Sequence, residues 1–154
     1  MSTVKANRLQ LGQSGTATQN FTLDASAADG TMKLARGVAG GTTQDVMLVN
    51  AAGEVDFPQL VRLYGSNGYQ KMPGGLILQW GASTTPAGGT IAVAFPIIFP
   101  NALFQVYAAD YSVSNGTTNI IGCDAGTVNG CNVYTSDAAG TAQGSNFKWF
   151  AIGN

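Results

Sequence analysis

Histidine is absent from the 154-residue sequence, and charge of either sign is scarce. Asp, Glu, Lys and Arg make up 10% of the chain, where soluble proteins carry about a quarter. Each shortage excludes a class of function. Without histidine there is no Ser-His-Asp or Cys-His nucleophile and no mixed Cys/His zinc centre. Seven Lys plus Arg against eight Asp plus Glu give a net charge of -1. Clustered cations able to neutralise several phosphates are therefore missing, and no nucleic-acid partner is expected. With 45% hydrophobic residues and a charge near zero, the chain is not an acidic disordered tail either. The two cysteines, Cys123 and Cys131, cannot supply the four thiolates of a structural zinc site. They are close enough in sequence to bridge a hairpin, but two cysteines without a secretion signal favour free thiols. Met1-Ser2-Thr3-Val4-Lys5 opens no apolar signal core. The greasiest stretch, residues 91–109, is interrupted by Pro96, Pro100, Asn101 and Gln105. It falls short of a membrane span, so no membrane insertion is expected.

What is abundant is glycine, 21 residues, about twice the usual share. No window sustains an amphipathic helix; short alternating runs recur instead. Leu76, Leu78 and Trp80 share one strand face, with Ile77 and Gln79 on the other. Ile91, Val93 and Phe95 alternate with alanines, and Phe104, Val106 and Ala108 alternate with Leu103, Gln105 and Tyr107. Phe147, Trp149 and Ala151 alternate with Lys148, Phe150 and Ile152. Period two, with Pro-Gly, Gly-Gly and Asn-Gly separators between runs, predicts antiparallel β structure. Asn115-Gly116 and Asn129-Gly130 suit hairpin turns that need positive φ. Trp80 and Trp149 read as core residues rather than as sugar platforms.

Residues 8–57 carry smaller pieces: Leu9/Leu11, Phe21/Leu23, Met32/Leu34, Val46 to Val49 and Val55/Phe57. Ordering a residue's backbone costs about 1–2 kcal/mol, and a fully buried Leu, Val or Phe returns about 1.5–3 kcal/mol. These few side chains leave no margin unless they bury against something else. Another copy of the chain is the simplest cover, which implies an obligate oligomer with these residues meeting along a symmetry axis. A junction falls at Tyr64-Gly65-Ser66-Asn67-Gly68-Tyr69, dividing the chain into 1–67 and 68–154. Charge changes there too. Beyond residue 70 the only charged side chains are Lys71, Lys148, Asp110, Asp124 and Asp137. Gly15-Thr16-Ala17-Thr18-Gln19-Asn20-Phe21 and Gly140-Thr141-Ala142-Gln143-Gly144-Ser145-Asn146-Phe147 look alike, a faint hint of a repeat.

Catalytic chemistry has little to draw on. Asp110, Asp124 and Asp137 are the candidate acid-base carboxylates, but each sits beside turn-forming residues, where Asp bonds local amides. Ser83, Ser112 and Ser136 have no histidine partner. Walker and calcium-loop spacings are absent, so no cofactor and no metal are expected. The triplets Asn20-Phe21-Thr22 and Asn115-Gly116-Thr117 match the glycosylation pattern, which needs a secretory route. Binding fares better. Loops after residue 110 are rich in Asn, Thr, Ser, Gly and Tyr, which offer adaptable donors and acceptors beside flat amphipathic rings. That set suits neutral, hydroxyl-dense ligands such as sugars. Tyr111, Asn115, Asn119, Asp124, Asn129, Tyr134 and Asp137 are the candidate ligand-binding residues. The same residues also suit plain solvated hairpin tips.

Three segments carry a resemblance. They are Gly68-Tyr69-Gln70-Lys71-Met72-Pro73-Gly74-Gly75-Leu76-Ile77-Leu78-Gln79-Trp80-Gly81, Phe95-Pro96-Ile97-Ile98-Phe99-Pro100-Asn101-Ala102, and Phe147-Lys148-Trp149-Phe150-Ala151-Ile152-Gly153-Asn154. In order and spacing they resemble the C-terminal receptor-binding domain family of bacteriophage tail-fibre proteins, over most of residues 68–154. The family's usual final aromatic is here Asn154. Residues 8–57, including Gly30-Thr31-Met32-Lys33-Leu34-Ala35-Arg36-Gly37, more loosely resemble shaft-side segments of such fibres. The resemblance implies an all-β fold: short shaft or collar strands, then an antiparallel β-sandwich tip, in an intertwined homotrimer. It implies a virion tail fibre, or a phage-tail-like bacteriocin, that joins other tail and fibre proteins. It implies reversible adsorption to a bacterial surface glycan, such as lipopolysaccharide, or to another outer-membrane receptor. The starting Met and the short length fit a fragment of a longer fibre or a small tip subunit. Two alternatives remain beside the receptor-binding tip: a structural trimerisation or assembly module, and a capsule depolymerase. The first is non-enzymatic, and the missing histidine and few carboxylates disfavour the second.

Overall fold

Each short apolar run before residue 60 becomes a strand in the computed structural model, which describes residues 7–37, 44–111 and 119–154. The chain divides into two units, Met1–Leu60 and Val61–Asn154. Strands β1 (Arg8–Leu11), β2 (Phe21–Asp24), β3 (Met32–Arg36), β4 (Gln44–Val49) and β5 (Val55–Asp56) form one antiparallel sheet in sequence order. Cross-strand register gathers most of its large apolar side chains on one face. Leu9, Leu23, Leu34 and Met47 lie opposite one another across four strands. Leu11 pairs with Phe21 on the same face, and Met32, Val49 and Val55 make a further row. The reverse face carries Arg8, Asp24, Lys33 and Asp56, with Leu48 between the last two, and Arg36 lies opposite Phe21 on the apolar side. Ion pairs join Arg8 to Asp24 at 2.8 Å and Lys33 to Asp45 at 3.2 Å.

Short polar side chains replace a core in holding this unit's turns. Asn20, fully buried, accepts from the Ser14 amide and donates to the carbonyls of Ser14 and Thr16. Asp24 accepts from the Ser26 amide and Asp29 from that of Thr31, the local bonding that lets Asp organise turns. Hydrogen bonds from Ser26, reinforced by Arg8, hold the Asp24 carboxyl down at about 2.

The second unit is a sandwich. Its larger sheet runs β10 (Leu103–Asp110), β13 (Asn146–Gly153), β8 (Ile77–Thr84), β7 (Gly68–Lys71) and β6 (Arg62–Leu63). The smaller runs β11 (Ile120–Cys123), β12 (Gly130–Ser136) and β9 (Thr90–Ala94). Phe147, Trp149, Ala151, Ile77 and Val106 from the first meet Val93, Cys131 and Val133 from the second. Phe95 and Phe99 close one end, with Phe95 5.4 Å from both the Phe99 and Trp149 rings. The expected alternation of β9 and β13 holds. The residues 64–67 form the connection inside the β6–β7 hairpin. Both cysteines are free, with the Cys123 thiol donating to the Val106 carbonyl. Burial pushes the Cys131 thiol up to about 11.

Four local expectations change. The buried face of β8 is Ile77, Gln79 and Gly81, not Leu78 and Trp80. The fully buried Gln79 amide donates to the Ile97 carbonyl at 2.9 Å and accepts from the Ile97 amide at 3.0 Å. A polar side chain enters the core there because it completes the backbone pairing of a loop. Trp149 is core, but Trp80 is half-buried on the outer face, its indole N–H donating to Gly65 and its ring stacked 6.4 Å from Tyr64. A β-bulge between Leu103 and Gln105 turns Phe104 outward while Val106 stays buried, since an extra residue re-phases a strand. Asn129-Gly130 takes no positive φ; Gly126 does. Gly130 is required for another reason, because a Cβ there collides with the Val93 carbonyl on β9.

Two outcomes follow. Gln79→Leu strands both polar groups of Ile97, and should lower stability by roughly 2–6 kcal/mol at about 1–3 per unsatisfied group, read by urea denaturation. The depressed Asp24 favours the folded state above its unfolded value of about 3.9. That contribution is lost as pH falls through about 2. Melting temperature should therefore drop between about pH 4 and pH 2, and Asp24→Asn should flatten that drop.

Candidate functional site

Of the candidate residues, Tyr111 lies in one depression, Asp124 and Asn129 in a second, and Asn119 and Asp137 bond neighbouring backbone amides or side chains. The first depression lies where β10, β13 and β8 end. The Tyr111 amide donates to the Asn146 carbonyl, and Asn146 lies opposite Thr84, so the three residues stand side by side. Ala82, Ser83 and Phe147 complete a groove of about 340 Å³. Tyr111 is 52% exposed, and the Lys148 ammonium stands 3.8 Å from the centre of its ring. The Thr84 hydroxyl donates to Asn146 Oδ1 at 2.6 Å, which fixes the amide and turns its Nδ2 donor away from Thr84.

Just behind Tyr111, Asp110 ties down a connection. One of its oxygens accepts from the Asn119 amide at 2.9 Å and the other from the Ser145 hydroxyl at 3.0 Å. Asn119 Nδ2 donates to that same Ser145 oxygen at 3.0 Å. Asn119 thus acts at the base of the connection between β10 and β11. Asn115, the candidate at its middle, lies outside the described residues. Beneath, the hydroxyls of Thr85 and Thr135 are 2.7 Å apart, and Thr135 bonds the Gln143 carbonyl. The scaffold under the groove is therefore fixed by buried hydrogen bonds.

The second depression, about 370 Å³, lies beside the β11–β12 turn and takes in Asp124, Asn129 and Asn132. Asp124 accepts from the Asn132 amide at 3.0 Å, Asn132 Nδ2 at 2.8 Å and the Gly126 amide at 3.0 Å. Bonds from Asn132 hold its carboxyl below the ordinary range. Asn129 is exposed, and its carbonyl accepts from Phe95. Asp137 organises the next hairpin, accepting from the amides of Ala139 and Thr141, with the Thr141 bond foremost in lowering its carboxyl. Tyr134, 46% exposed, sits on the outer face of the small sheet between Gly122 and Thr90.

Reading by residue type passed over Lys148, Asn146 and Thr84. Their signal was available: Lys148 is one of two cations after residue 70, on the solvent-facing parity of an alternating strand. Among the described residues no group of three or more His, Cys, Asp or Glu is placed to hold a metal ion, and no helix is long and apolar enough to cross a membrane.

Comparison with known proteins adds a context to this geometry. An uncharacterized protein of Methanocaldococcus jannaschii, MJ0347, is 39% identical over 94 residues, covering 56% of this chain and 62% of that protein. The N-truncated R2-type pyocin tail fibre superposes with a TM-score of 0.53 at 28% identity, over 61% of this chain and 37% of that one. The N-truncated R1-type pyocin tail fibre gives 0.51 at 27% identity, over 61% of this chain and 84% of that one. The chain thus spans less than two thirds of the curated relative and of the R2-type fibre. Residues 71–154, more than half of the sequence and nearly all of the sandwich unit, match the family described as "Putative tail fiber protein gp53-like, C-terminal". The chain belongs to that tail-fibre family.

Proposed function

We propose that this tail-fibre chain forms the receptor-binding tip of a homotrimer that adsorbs reversibly to a bacterial surface glycan. The observation that carries the reading is a rigid, nearly charge-free sandwich with half-exposed tyrosines and amide or hydroxyl groups beside clamped turns. Asp110, Asn119 and Ser145 bond one another beside the groove, and Tyr111 and Tyr134 are about half exposed. Surfaces that bind neutral polar ligands combine such adaptable donors with flat rings on a stiff frame. Binding without cleavage fits the carboxylates. A general acid needs a raised pKa, whereas local hydrogen bonds lower those of Asp124 and Asp137.

Trimerisation rests on the first unit. Its sheet has one apolar face, on which Leu9 and Leu11 are each 50% exposed, Phe21 40% and Val55 55%. Covering a half-exposed side chain of that size stabilises by about 1 kcal/mol. A second and third copy of the same face supply that cover, with the charged face turned to solvent. Three copies then present three sets of loops, and weak sugar contacts gain from effective concentration. The same apolar face also favours the second reading, a module that only registers and assembles fibres.

Light scattering on the intact chain should return three times the monomer mass, and Leu23→Glu with Leu34→Glu should reduce it to monomer. A well-folded wild-type monomer at working dilution rejects the trimer. In adsorption competition, saturating protein should protect susceptible cells from phage and leave receptor-deficient cells unaffected. Failure to protect leaves the assembly reading. Shortened polysaccharide after incubation with the protein reinstates the depolymerase.

A further inference from the structure

We propose that the groove at Tyr111 and Asn146, with the Lys148 ammonium beside it on the Tyr111 ring, is a subsite for an acidic sugar, one bearing a carboxylate or a phosphate. The inference rests on the receptor-binding reading and narrows its ligand. Its chemistry comes from what the groove offers and from what is already occupied. Among the described residues, the Lys148 ammonium makes no ion pair; its contact is the Tyr111 ring. Asn146 Oδ1 is taken by Thr84, and its Nδ2 has no partner among the described residues. The Tyr111 phenol stands on a half-exposed ring with no hydrogen-bond partner among those residues. The free groups are thus an ammonium, an amide N–H pair and a phenol, which together ask for an acceptor-rich ligand.

Among the described residues no carboxylate lines the groove. The adjacent Asp110 lies opposite Phe147, on the inward parity of β13, and its oxygens accept from Asn119 and Ser145. Lys148 has the outward parity. Opposite signs are therefore separated by the two faces of one sheet, and the outward side is left with the cation. An anionic group held by Lys148 and Asn146 Nδ2 makes charge-assisted hydrogen bonds, roughly twice as strong as neutral ones. The sugar ring's C–H face then has the exposed part of the Tyr111 ring to lie against. The small side chain of Ala82, directly opposite Lys148 across the β8–β13 pair, leaves room for it.

The test uses the full chain, isotopically labelled, titrated with galacturonic acid oligomers, glucose 6-phosphate and glucose. Backbone resonances of Tyr111, Asn146 and Lys148 should shift with one or both acidic probes. The two acidic arms distinguish carboxylate from phosphate as the source of the charge. Glucose should bind at least tenfold more weakly, and raised salt should narrow that difference. Lys148→Gln should weaken the acidic probe about tenfold, while Lys148→Arg retains it. Equal affinity for glucose, an unchanged Lys148→Gln, or shifts confined elsewhere overturns the subsite. Adsorption competition separates the two readings. Wild-type protection lost in Lys148→Gln supports both. Protection retained in full by Lys148→Gln overturns the subsite and leaves the receptor role standing. Localised shifts without any protection of cells support the subsite and remove the receptor role.

Discussion

A β-sheet has two faces, and every apolar one needs a cover. The constraint presses hard on a chain with so little charge, because few positions are available to make a face soluble. The second unit meets it internally. Phe147, Trp149 and Ala151 on one sheet close against Val93, Cys131 and Val133 on the other, and loop residues Phe95 and Phe99 fill the open end. Among the described residues the first unit has a single sheet, and Leu9, Leu11, Phe21, Leu23 and Val55 remain open to solvent. The two halves of the sequence thus meet the same constraint differently: one closes within the fold, and the other closes only in the trimer proposed above.

Strand identity was legible wherever alternation was long and uninterrupted. Phe147, Trp149 and Ala151 announced the buried face of β13, and Ile91 and Val93 that of β9. The departures share a cause: each depends on a partner far away in sequence. Gln79 reads as a surface residue until the backbone of Ile97 arrives to pair with it. Phe104 follows its strand's alternation until a bulge against β13 shifts the phase. Trp80 follows its alternation correctly, but the face it joins is covered by a hairpin rather than by the second sheet.

The candidate site was legible as chemistry and less so as geometry. Composition pointed to Tyr, Asn and Asp in turns, and most of those residues do stand at turns. Their roles differ. Asp124 and Asp137 spend their oxygens on neighbouring amides, and Asn119 fastens the foot of a connection. Tyr111 is the one that a groove, a cation and an open amide surround. Counting charges recorded Lys148 as scarcity; only the strand register revealed that it stands on the outward face beside the Tyr111 groove.

The two thiols have a chemical consequence of their own. Burial raises Cys123 as well as Cys131. Because the thiolate is the reactive form, a group held at about 11 is deprotonated at neutral pH in roughly one molecule in ten thousand. Cys131 therefore serves the sandwich as a small apolar residue, packed against Val93 and Val133, rather than as a redox group.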